Sequence, residues 1–299
     1  MNLRIATRSS PLARWQAERI GSLLCSIDDA IEPEYVLVET VADRRLDVPI
    51  WTMGGKGVFV KEVQAAVLSG RADIAVHAAK DLPSVTLDAL ALTAIPQRGD
   101  PRDAMVGGRL DDLHPGARVA TGSVRRRAQL ANLRPDLTFA GLRGNMHTRL
   151  EKAAAYAAIV VAAVALERLG LGDRIAERLP AWLIVPQVGQ GALAVECRAG
   201  AGDAALRDLV VAIEHRPSRL AVASERAFLA ELGGDCDLPA GAHATFTTDG
   251  DIVLDAVLAS LDGHIVLRHR ATGVEPEELG RTSARHLLDH AGGAALLAG

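Results

Sequence analysis

Short aliphatic and β-branched runs alternate with longer amphipathic stretches over the first half of the chain. Leu3–Thr7 has the character of a strand. The segment Ser9–Pro11 follows it with the hydroxyl caps and early proline that begin many helices, and we expect this helix to run to about Cys25. Ala72–Ala79 is almost wholly apolar, which predicts a strand buried on both faces. The alternation as a whole predicts an α/β fold.

The remaining elements continue this alternation up to about Leu169, and no internal repeat is evident in the sequence. After Pro217 the pattern changes to a helix followed by hairpin-like strands, with an Asp262-Gly263 turn between two of them. The predicted strands are Tyr35–Thr40, Ala91–Pro96, Ala117–Thr121, Leu137–Leu142, Ala157–Val161, Asp251–Leu258 and Ile265–His269. The predicted helices are Phe59–Leu68, Val124–Leu133, Met146–Ala155, one ending near Leu169, Ser218–Leu232 and Pro276–His290.

Composition narrows the class of protein. Apolar residues make up 49% of the 299 residues and aromatic residues only 3%, so the core has to be mostly aliphatic. No apolar run reaches the roughly 18 uncharged residues that a membrane span needs, and the N-terminus lacks the apolar region of a secretory signal. We therefore expect a protein that does not bind membranes and that is cytoplasmic, with an organelle lumen after processing as the alternative. The formal net charge of −4 argues against non-specific nucleic-acid binding, which needs a basic face.

The three cysteines do not indicate a disulfide framework or a metal site, because their number is odd, none forms a CxxC pair and no HExxH motif is present. Cys25 and Cys197 lie in apolar patterns typical of packing. Cys236 lies between glycines and a proline in GGDCDLP, which indicates a loop with an accessible thiol. Two flanking aspartates disfavour its thiolate, so this position suits a single covalent attachment better than repeated nucleophilic turnover.

Arginine is concentrated at predicted junctions between strands and helices. The positions are Arg8, the run Arg125–Arg127, Arg143 and Arg149. Ligands of open α/β sheets bind at such junctions, and the first N–H groups of a helix opened by Ser123 favour an anion. Any one of these arginines could be an ordinary solvated charge. Their recurrence at junctions in an acidic chain indicates a small polyanionic ligand, since guanidinium groups bind carboxylates in a bidentate manner.

Three further segments are ambiguous on their own. The glycine-rich segment Gly54–Gly57 leads into a predicted helix, but GxxxxGK[ST] is absent. Gly189–Gly191 is a poor dinucleotide fingerprint and is more typical of a tight turn. Asp81 follows a predicted buried strand, where a carboxylate can meet a ligand, although for a lone aspartate a helix cap or a turn is the simpler explanation.

Taken together, these segments resemble the porphobilinogen deaminase family, whose motifs occur here in the family's order from residue 3 to about residue 240. The matching segments are IATRSSPLA (5–13), GGKGVFVKE (54–62), RADIAVHAAKDLP (71–83), GDPRDA (99–104), ATGSVRRRAQL (120–130), LRGNMHTRL (142–150), VGQGALAVECR (188–198) and GGDC (233–236). Each motif is weak alone, and the eight in order are specific.

The resemblance implies an α/β fold with two periplasmic-binding-protein-like lobes around a cleft and a smaller α+β C-terminal domain. Domain 1 would comprise residues 1–96 and 194–211, domain 2 residues 97–193, and domain 3 residues 216–299 with the cofactor cysteine. The family is usually monomeric. Its members are transferases that condense four porphobilinogen molecules head to tail, with loss of ammonia, on a covalent dipyrromethane primer. They release hydroxymethylbilane for haem, chlorophyll and corrinoid synthesis.

The resemblance also implies roles for particular residues. Cys236 would hold dipyrromethane through a thioether, Asp81 would be the catalytic aspartate, and Lys56 would lie in a mobile loop over the cleft. No metal is implied. The positions that match carboxylate-binding residues for primer and substrate are Arg8, Ser10, Lys80, Thr121, Ser123, Arg125, Arg126, Arg143 and Arg149.

This chain departs from the family pattern at Ala78 and Gly122, where the family has hydroxyl residues, and at residues 41–45, which read VADRR. These changes concern how carboxylates are bound and leave Cys236 and Asp81 in place. Two other functions remain as alternatives. A two-lobed binding module would share the arginines without needing Cys236 or Asp81, and a P-loop or dinucleotide enzyme is disfavoured by the missing motifs.

Overall fold

A computed structural model describes residues 1–40, 57, 59–234 and 238–298 of the chain. Its first lobe is built around a parallel arrangement of β1, β2 and β3, in which β1 pairs with both of the others. The elements of this lobe are β1 (Asn2–Arg8), α1 (Pro11–Cys25), β2 (Glu32–Val38), α2 (Lys61–Leu68), β3 (Ile74–Ala78) and β4 (Leu90–Ala94), joined later in the chain by β10 (Leu193–Arg198) and α6 (Ala204–Val211).

The second lobe repeats this plan with different residues. Its elements are β5 (Asp103–Val106), β6 (Arg118–Ala120), α3 (Val124–Leu133), β7 (Thr138–Ala140), α4 (Met146–Lys152), β8 (Ala158–Ala162), α5 (Ala163–Arg168) and β9 (Glu177–Leu179). Among the described residues, the strand order is β2-β1-β3-β10-β4 in the first sheet and β7-β6-β8-β5-β9 in the second. In each sheet the fourth strand is antiparallel to both of its neighbours.

The chain passes between the lobes after β4 and again before β10, and the two crossing segments contact each other. The backbone N–H of Gly99 in the first crossing donates to the carbonyl of Gly191 in the second at 3.1 Å. The crossings are thus held together where the lobes meet.

A smaller third domain follows, with a three-stranded antiparallel sheet, β11-β12-β13, covered by helices. Phe228 on its first helix is fully buried against the sheet, together with Leu254 and Leu258. Its elements are α7 (Arg216–Glu231), β11 (Ala240–Phe246), β12 (Ile252–Ala259), β13 (Val266–Gly273), α8 (Pro276–Arg285), a π-helical turn (His286–His290) and α9 (Gly293–Ala298).

Glu225 of α7 anchors this third domain to both crossing segments. Its carboxylate, which is fully buried, accepts hydrogen bonds from Arg98 in the first crossing and from the backbone N–H of Gly189 in the second, at 2.6 and 2.7 Å. It also accepts from the N–H of Ala244 in β11 at 2.9 Å. A buried carboxylate with this many donors is well compensated for its lost hydration.

The predicted α/β class with two lobes and a smaller α+β domain is confirmed, whereas the residue limits of the three domains stay a prediction. Val124–Leu133 forms the predicted helix, while β2 begins three residues earlier than predicted because it pairs with β1 from Glu32 onward. The strands β5 and β9 were not predicted, since each is short and begins with a charged residue. Nor was β11, whose alanines and glycine have low strand propensity.

Within the described ranges, no helix combines the length and apolar character needed to cross a bilayer.

Candidate active site

The first wall of the candidate site lies where β1 gives way to α1. Ser10 caps the helix, its Oγ accepting from the N–H of Ala13 at 3.3 Å, and Pro11 occupies the first helical position. Arg8 ends the strand, and its guanidinium carbon lies 4.6 Å from the centre of the Phe59 ring. This cation–π contact directs the charge of Arg8 without neutralising it.

The second group of candidate site residues follows β3, whose apolar side chains are mostly buried as predicted. A single 3-10 turn, Ala79–Asp81, carries Lys80 and Asp81 away from the end of the strand. Burial and then the nearby Arg126 lower the pKa of Lys80 to about 8, although Asp81 and Asp103 act in the opposite direction. Lys80 is thus held in a site that already contains positive charge.

The second lobe contributes the junction between β6 and α3. Ser123 caps α3, with its Oγ accepting from the N–H of Arg126 at 3.4 Å. The backbone N–H of Ser123 in turn donates to Oγ1 of the buried Thr121 at 3.3 Å. This arrangement corresponds to Ser10 and α1 in the first lobe.

Arg125 and Arg126 are both engaged by one carboxylate that the sequence analysis did not single out. Asp103, at the start of β5, is fully buried and accepts from Nη2 of Arg125 at 2.8 Å and from Nε of Arg126 at 2.9 Å. Arg125 is 2% exposed and also donates to the carbonyl of Val185 at 2.6 Å. The two guanidinium groups hold the pKa of Asp103 well below its usual range despite its burial.

The loop before α4 contributes Arg143, and α4 itself contributes Arg149. Asn145 caps the helix by accepting from the N–H of Thr148 at 3.0 Å, and Nε of Arg149 donates to the carbonyl of Gly144 at 2.8 Å. Burial, followed by the proximity of Arg126 and Arg143, lowers the pKa of Arg149 to about 10. Asp81 and Arg8 of the first lobe also act on Arg149, so this residue faces across to the other lobe.

The result is an excess of positive charge between the lobes. The electrostatic neighbours of Lys80 and Arg149 include two carboxylates, Asp81 and Asp103, and Asp103 is already paired with two arginines. Such a site can bind an anion with several carboxylates while leaving Asp81 for another task. The cations that it brings together are Arg8, Lys80, Arg126, Arg143 and Arg149.

The remaining predicted site residues are distributed as follows. Ser10, Thr121 and Ser123 lie at the two helix starts, and Arg125 lies in the buried pair with Asp103. Cys236 and Lys56 fall outside the described residues. Among the described residues, no group of three His, Cys, Asp or Glu side chains is placed to hold a metal ion.

Gln190 is a further site residue that the sequence analysis treated only as part of a turn. Its side chain, which is fully buried, contacts Lys80 of the first lobe and both Asp103 and Arg126 of the second. Gly189 and Gly191 on either side were the signal in the sequence that could have indicated this role, since glycines allow the backbone of this segment to lie close to neighbouring backbone.

Fold and charge together define a two-lobed α/β protein with a smaller third domain and an excess of cations between its lobes. A family model described as porphobilinogen deaminase, dipyromethane cofactor binding domain, matches residues 3–207, and one described as porphobilinogen deaminase, C-terminal domain, matches residues 219–289. The chain therefore belongs to the porphobilinogen deaminase family, which acts in tetrapyrrole synthesis.

Solved structures with a similar chain path include a nutrient binding protein from Burkholderia cenocepacia bound to methionine, which is 11% identical, with 70% of this chain and 90% of that chain covered and a TM-score of 0.42. A TRAP periplasmic solute binding protein from Desulfovibrio salexigens is 11% identical, with 73% of each chain covered and a TM-score of 0.43. Similarities at this level say nothing about what this chain binds.

Proposed function

We propose that this protein is a transferase that condenses four porphobilinogen molecules, with loss of ammonia, on a dipyrromethane primer and releases hydroxymethylbilane. The observation that carries the proposal is the excess of cations between the lobes, next to the carboxylate of Asp81. Each pyrrole ring of such a substrate bears two carboxylates, so a growing chain needs several fixed positive charges.

The residues present fit a dipyrromethane group. When bound, the primer supplies the pyrrole carbon to which the next unit is joined. Its carboxylates would be held by Arg8, Lys80, Arg143 and Arg149, and the hydroxyls of Ser10, Thr121 and Ser123 lie at the neighbouring helix starts. Cys236 would hold the primer through a thioether, and Lys56 would belong to a loop over the cleft.

Arg125 and Arg126 contribute to this set in different ways. Arg126 lies close enough to Lys80 and Arg149 to affect the pKa of both, which supports a direct contact with a ligand carboxylate. Arg125 is more deeply buried, between Asp103 and the carbonyl of Val185. Arg125 therefore contributes to carboxylate binding partly by holding Asp103 in place, and Asp103 in turn holds Arg126.

Asp81 is suited to stabilise a developing cation. Departure of ammonia from the aminomethyl group of porphobilinogen leaves a cationic azafulvene, and the ionised carboxylate can accept a pyrrole N–H while facing this charge. Two unit charges about 4 Å apart at an effective dielectric constant of about 20 interact by roughly 4 kcal/mol. If this interaction is made mainly in the transition state, it accelerates the reaction by about a thousandfold.

The decisive experiment compares intact masses of the purified, denatured protein and its Cys236→Ser variant. We expect the wild type to exceed its sequence mass by one dipyrromethane and the variant to lack this addition. Cys25→Ser is the matched control, because Cys25 is a partly buried free thiol at the end of α1 and should leave the added mass in place.

A bare wild-type mass calls for incubation with porphobilinogen before the measurement is repeated. Continued failure to gain mass would refute the transferase and leave a two-lobed binding protein. If the Cys236→Ser variant kept the added mass, the primer would be attached to a residue other than Cys236. We also propose that the protein is a monomer and that it is located in the cytoplasm. Light scattering tests the first point and cell fractionation tests the second.

A further inference from the structure

The side-chain amide of Gln190 uses all of its hydrogen-bonding capacity between the two lobes. Its Oε1 accepts from Nζ of Lys80 at 3.3 Å and from Nη2 of Arg126 at 3.1 Å. Its Nε2 donates to the carbonyl of Pro101 at 2.7 Å and to Oδ1 of Asp103 at 2.8 Å. A primary amide offers two donors and two acceptor positions, so every one of them is occupied.

This set of partners allows only one orientation of the amide. Reversing it would place the NH2 group against the cations of Lys80 and Arg126 and would place the oxygen against the carboxylate of Asp103. Each of the four contacts would then become repulsive. Because Gln190 is fully buried, water cannot replace any of these partners at low cost.

The backbone on either side of Gln190 is fitted closely to both lobes. Gly189 has a φ of 70°, and a Cβ added there would come within 3.0 Å of the backbone of Ala79 and Lys80. Gly191 has a φ of 90°, and its Cβ would come within 2.6 Å of the carbonyl oxygen of Gly99 in the first crossing. The glycines of the GQG segment therefore let the second crossing seat Gln190 against the turn that carries Lys80.

We propose that Gln190 is a positioning residue that fixes the ammonium group of Lys80 in the first lobe relative to Arg126 and Asp103 in the second. Without the neutral amide of Gln190, the cations of Lys80 and Arg126 would face each other across the lobes. With the amide in place, both cations donate to its Oε1, and its Nε2 donates to Asp103. The proposal deepens the function proposed above, on which it rests for the ligand that Lys80 and Arg126 would share.

A neutral acceptor beside an ammonium group favours the charged form of that group. The charged groups that act on Lys80 are Arg126 and Arg149, which disfavour its protonation, and Asp81 and Asp103, which favour it. Gln190 stands among these as an uncharged partner at hydrogen-bond distance. Changing it to an apolar residue or to a carboxylate should therefore move the titration of Lys80 in opposite directions.

The experiment measures how fast acetic anhydride labels Lys80 across a series of pH values, with the labelled peptide quantified by mass spectrometry. Only the neutral amine reacts, so the midpoint of the rate profile reports the titration of Lys80. The proteins are wild type, Gln190→Met and Gln190→Glu, each used as purified after its intact mass has been recorded and compared at equal primer loading.

We expect the midpoint to fall in Gln190→Met and to rise in Gln190→Glu. Each shift should be at least about half a pH unit, which corresponds to about a threefold change in labelling rate at a fixed pH below the midpoint. The matched control is Gln129→Met. Gln129 is also a buried glutamine that braces the second crossing, through the backbone of Val185 at 2.9 and 3.1 Å, but it does not contact Lys80.

A shift in opposite directions in the two Gln190 variants, with no shift in Gln129→Met, supports the proposal. An unchanged midpoint, or a shift in the same direction in both variants, overturns it, because the amide oxygen would then not hold the ammonium group of Lys80. If thermal unfolding shows that either variant does not fold, Gln190→Asn takes its place, and an unchanged midpoint there also overturns the proposal. The labelling needs no turnover, so a failed transferase assay leaves this result interpretable.

Discussion

The two lobes have the same strand plan and differ in what they place at the ends of their strands. In the orders β2-β1-β3-β10-β4 and β7-β6-β8-β5-β9, the fourth position of each sheet is taken by the antiparallel strand that follows a crossing between the lobes. Each sheet is thus completed by chain that has just left the other lobe. This exchange ties the lobes together along the crossings that Gln190 and Glu225 brace.

Corresponding junctions show where the lobes diverge. The first helix of each lobe is capped by a serine, Ser10 on α1 and Ser123 on α3. After the third strand the similarity ends, because β3 leads into Lys80 and Asp81 whereas β8 leads into the apolar start of α5. Both lobes therefore contribute cations, while Asp81, the carboxylate proposed to take part in the reaction, comes from the first lobe. Under this proposal the chemistry follows the residues at strand ends rather than the scaffold.

The largest expected effect comes from removing the carboxylate that distinguishes the first lobe. Asp81→Ala should lower kcat for pyrrole addition by about a thousandfold, since the cation formed on loss of ammonia would lose its nearest anion. Steady-state turnover with porphobilinogen checks this. Asp88→Ala, which removes an exposed carboxylate from the same loop, should leave kcat unchanged. Normal turnover in Asp81→Ala would reduce Asp81 to a structural role.

The next effect belongs to the second lobe and concerns folding. Asp103→Asn leaves Arg125 and Arg126 as buried cations without their anion, which should lower the free energy of unfolding by about 3 kcal/mol. Chemical denaturation measures the loss. Asp136→Asn is the matched control, because it breaks an ion pair with Arg134 that is open to solvent and should lower the free energy of unfolding much less. If both variants lost the same free energy of unfolding, the buried ion pairs of Asp103 would not be more stabilising than an exposed ion pair.

The stability difference between wild type and Asp103→Asn should depend on pH, because the pKa of the wild-type Asp103 carboxyl group is depressed. A carboxyl group whose pKa is lower in the folded state than in the unfolded state stabilises the protein above the unfolded pKa of about 4, and this contribution is lost as the pH falls below it. The difference in unfolding free energy between wild type and Asp103→Asn should therefore be constant near neutral pH and shrink in acid. A difference that grew on acidification would have the wrong sign.

The contrast between the lobes also shows where sequence reasoning ends. Local patterns predicted the helix Val124–Leu133 and the arginines at strand–helix junctions, because both depend on neighbours in the chain. The run Arg125–Arg127 looks uniform in sequence, yet Arg127 is exposed while the other two are buried on Asp103, over twenty residues away. The shared strand plan leaves no repeat in the sequence, since different apolar residues fill equivalent positions equally well.

The smallest effect tests whether the corresponding helix caps are equivalent. Ser10→Ala and Ser123→Ala should each lower the free energy of unfolding by about 0.5–1 kcal/mol, the lower part of the usual range, because both cap hydrogen bonds are long, at 3.3 and 3.4 Å. Ser9→Ala, at an exposed neighbouring position that caps nothing, is the control. The caps belong to different lobes, so the double variant should lose the sum of the two within about 0.5 kcal/mol. A larger deviation, measured by denaturant unfolding, would mean that the two helix starts stabilise each other across the site and that the lobes do not unfold as separate units.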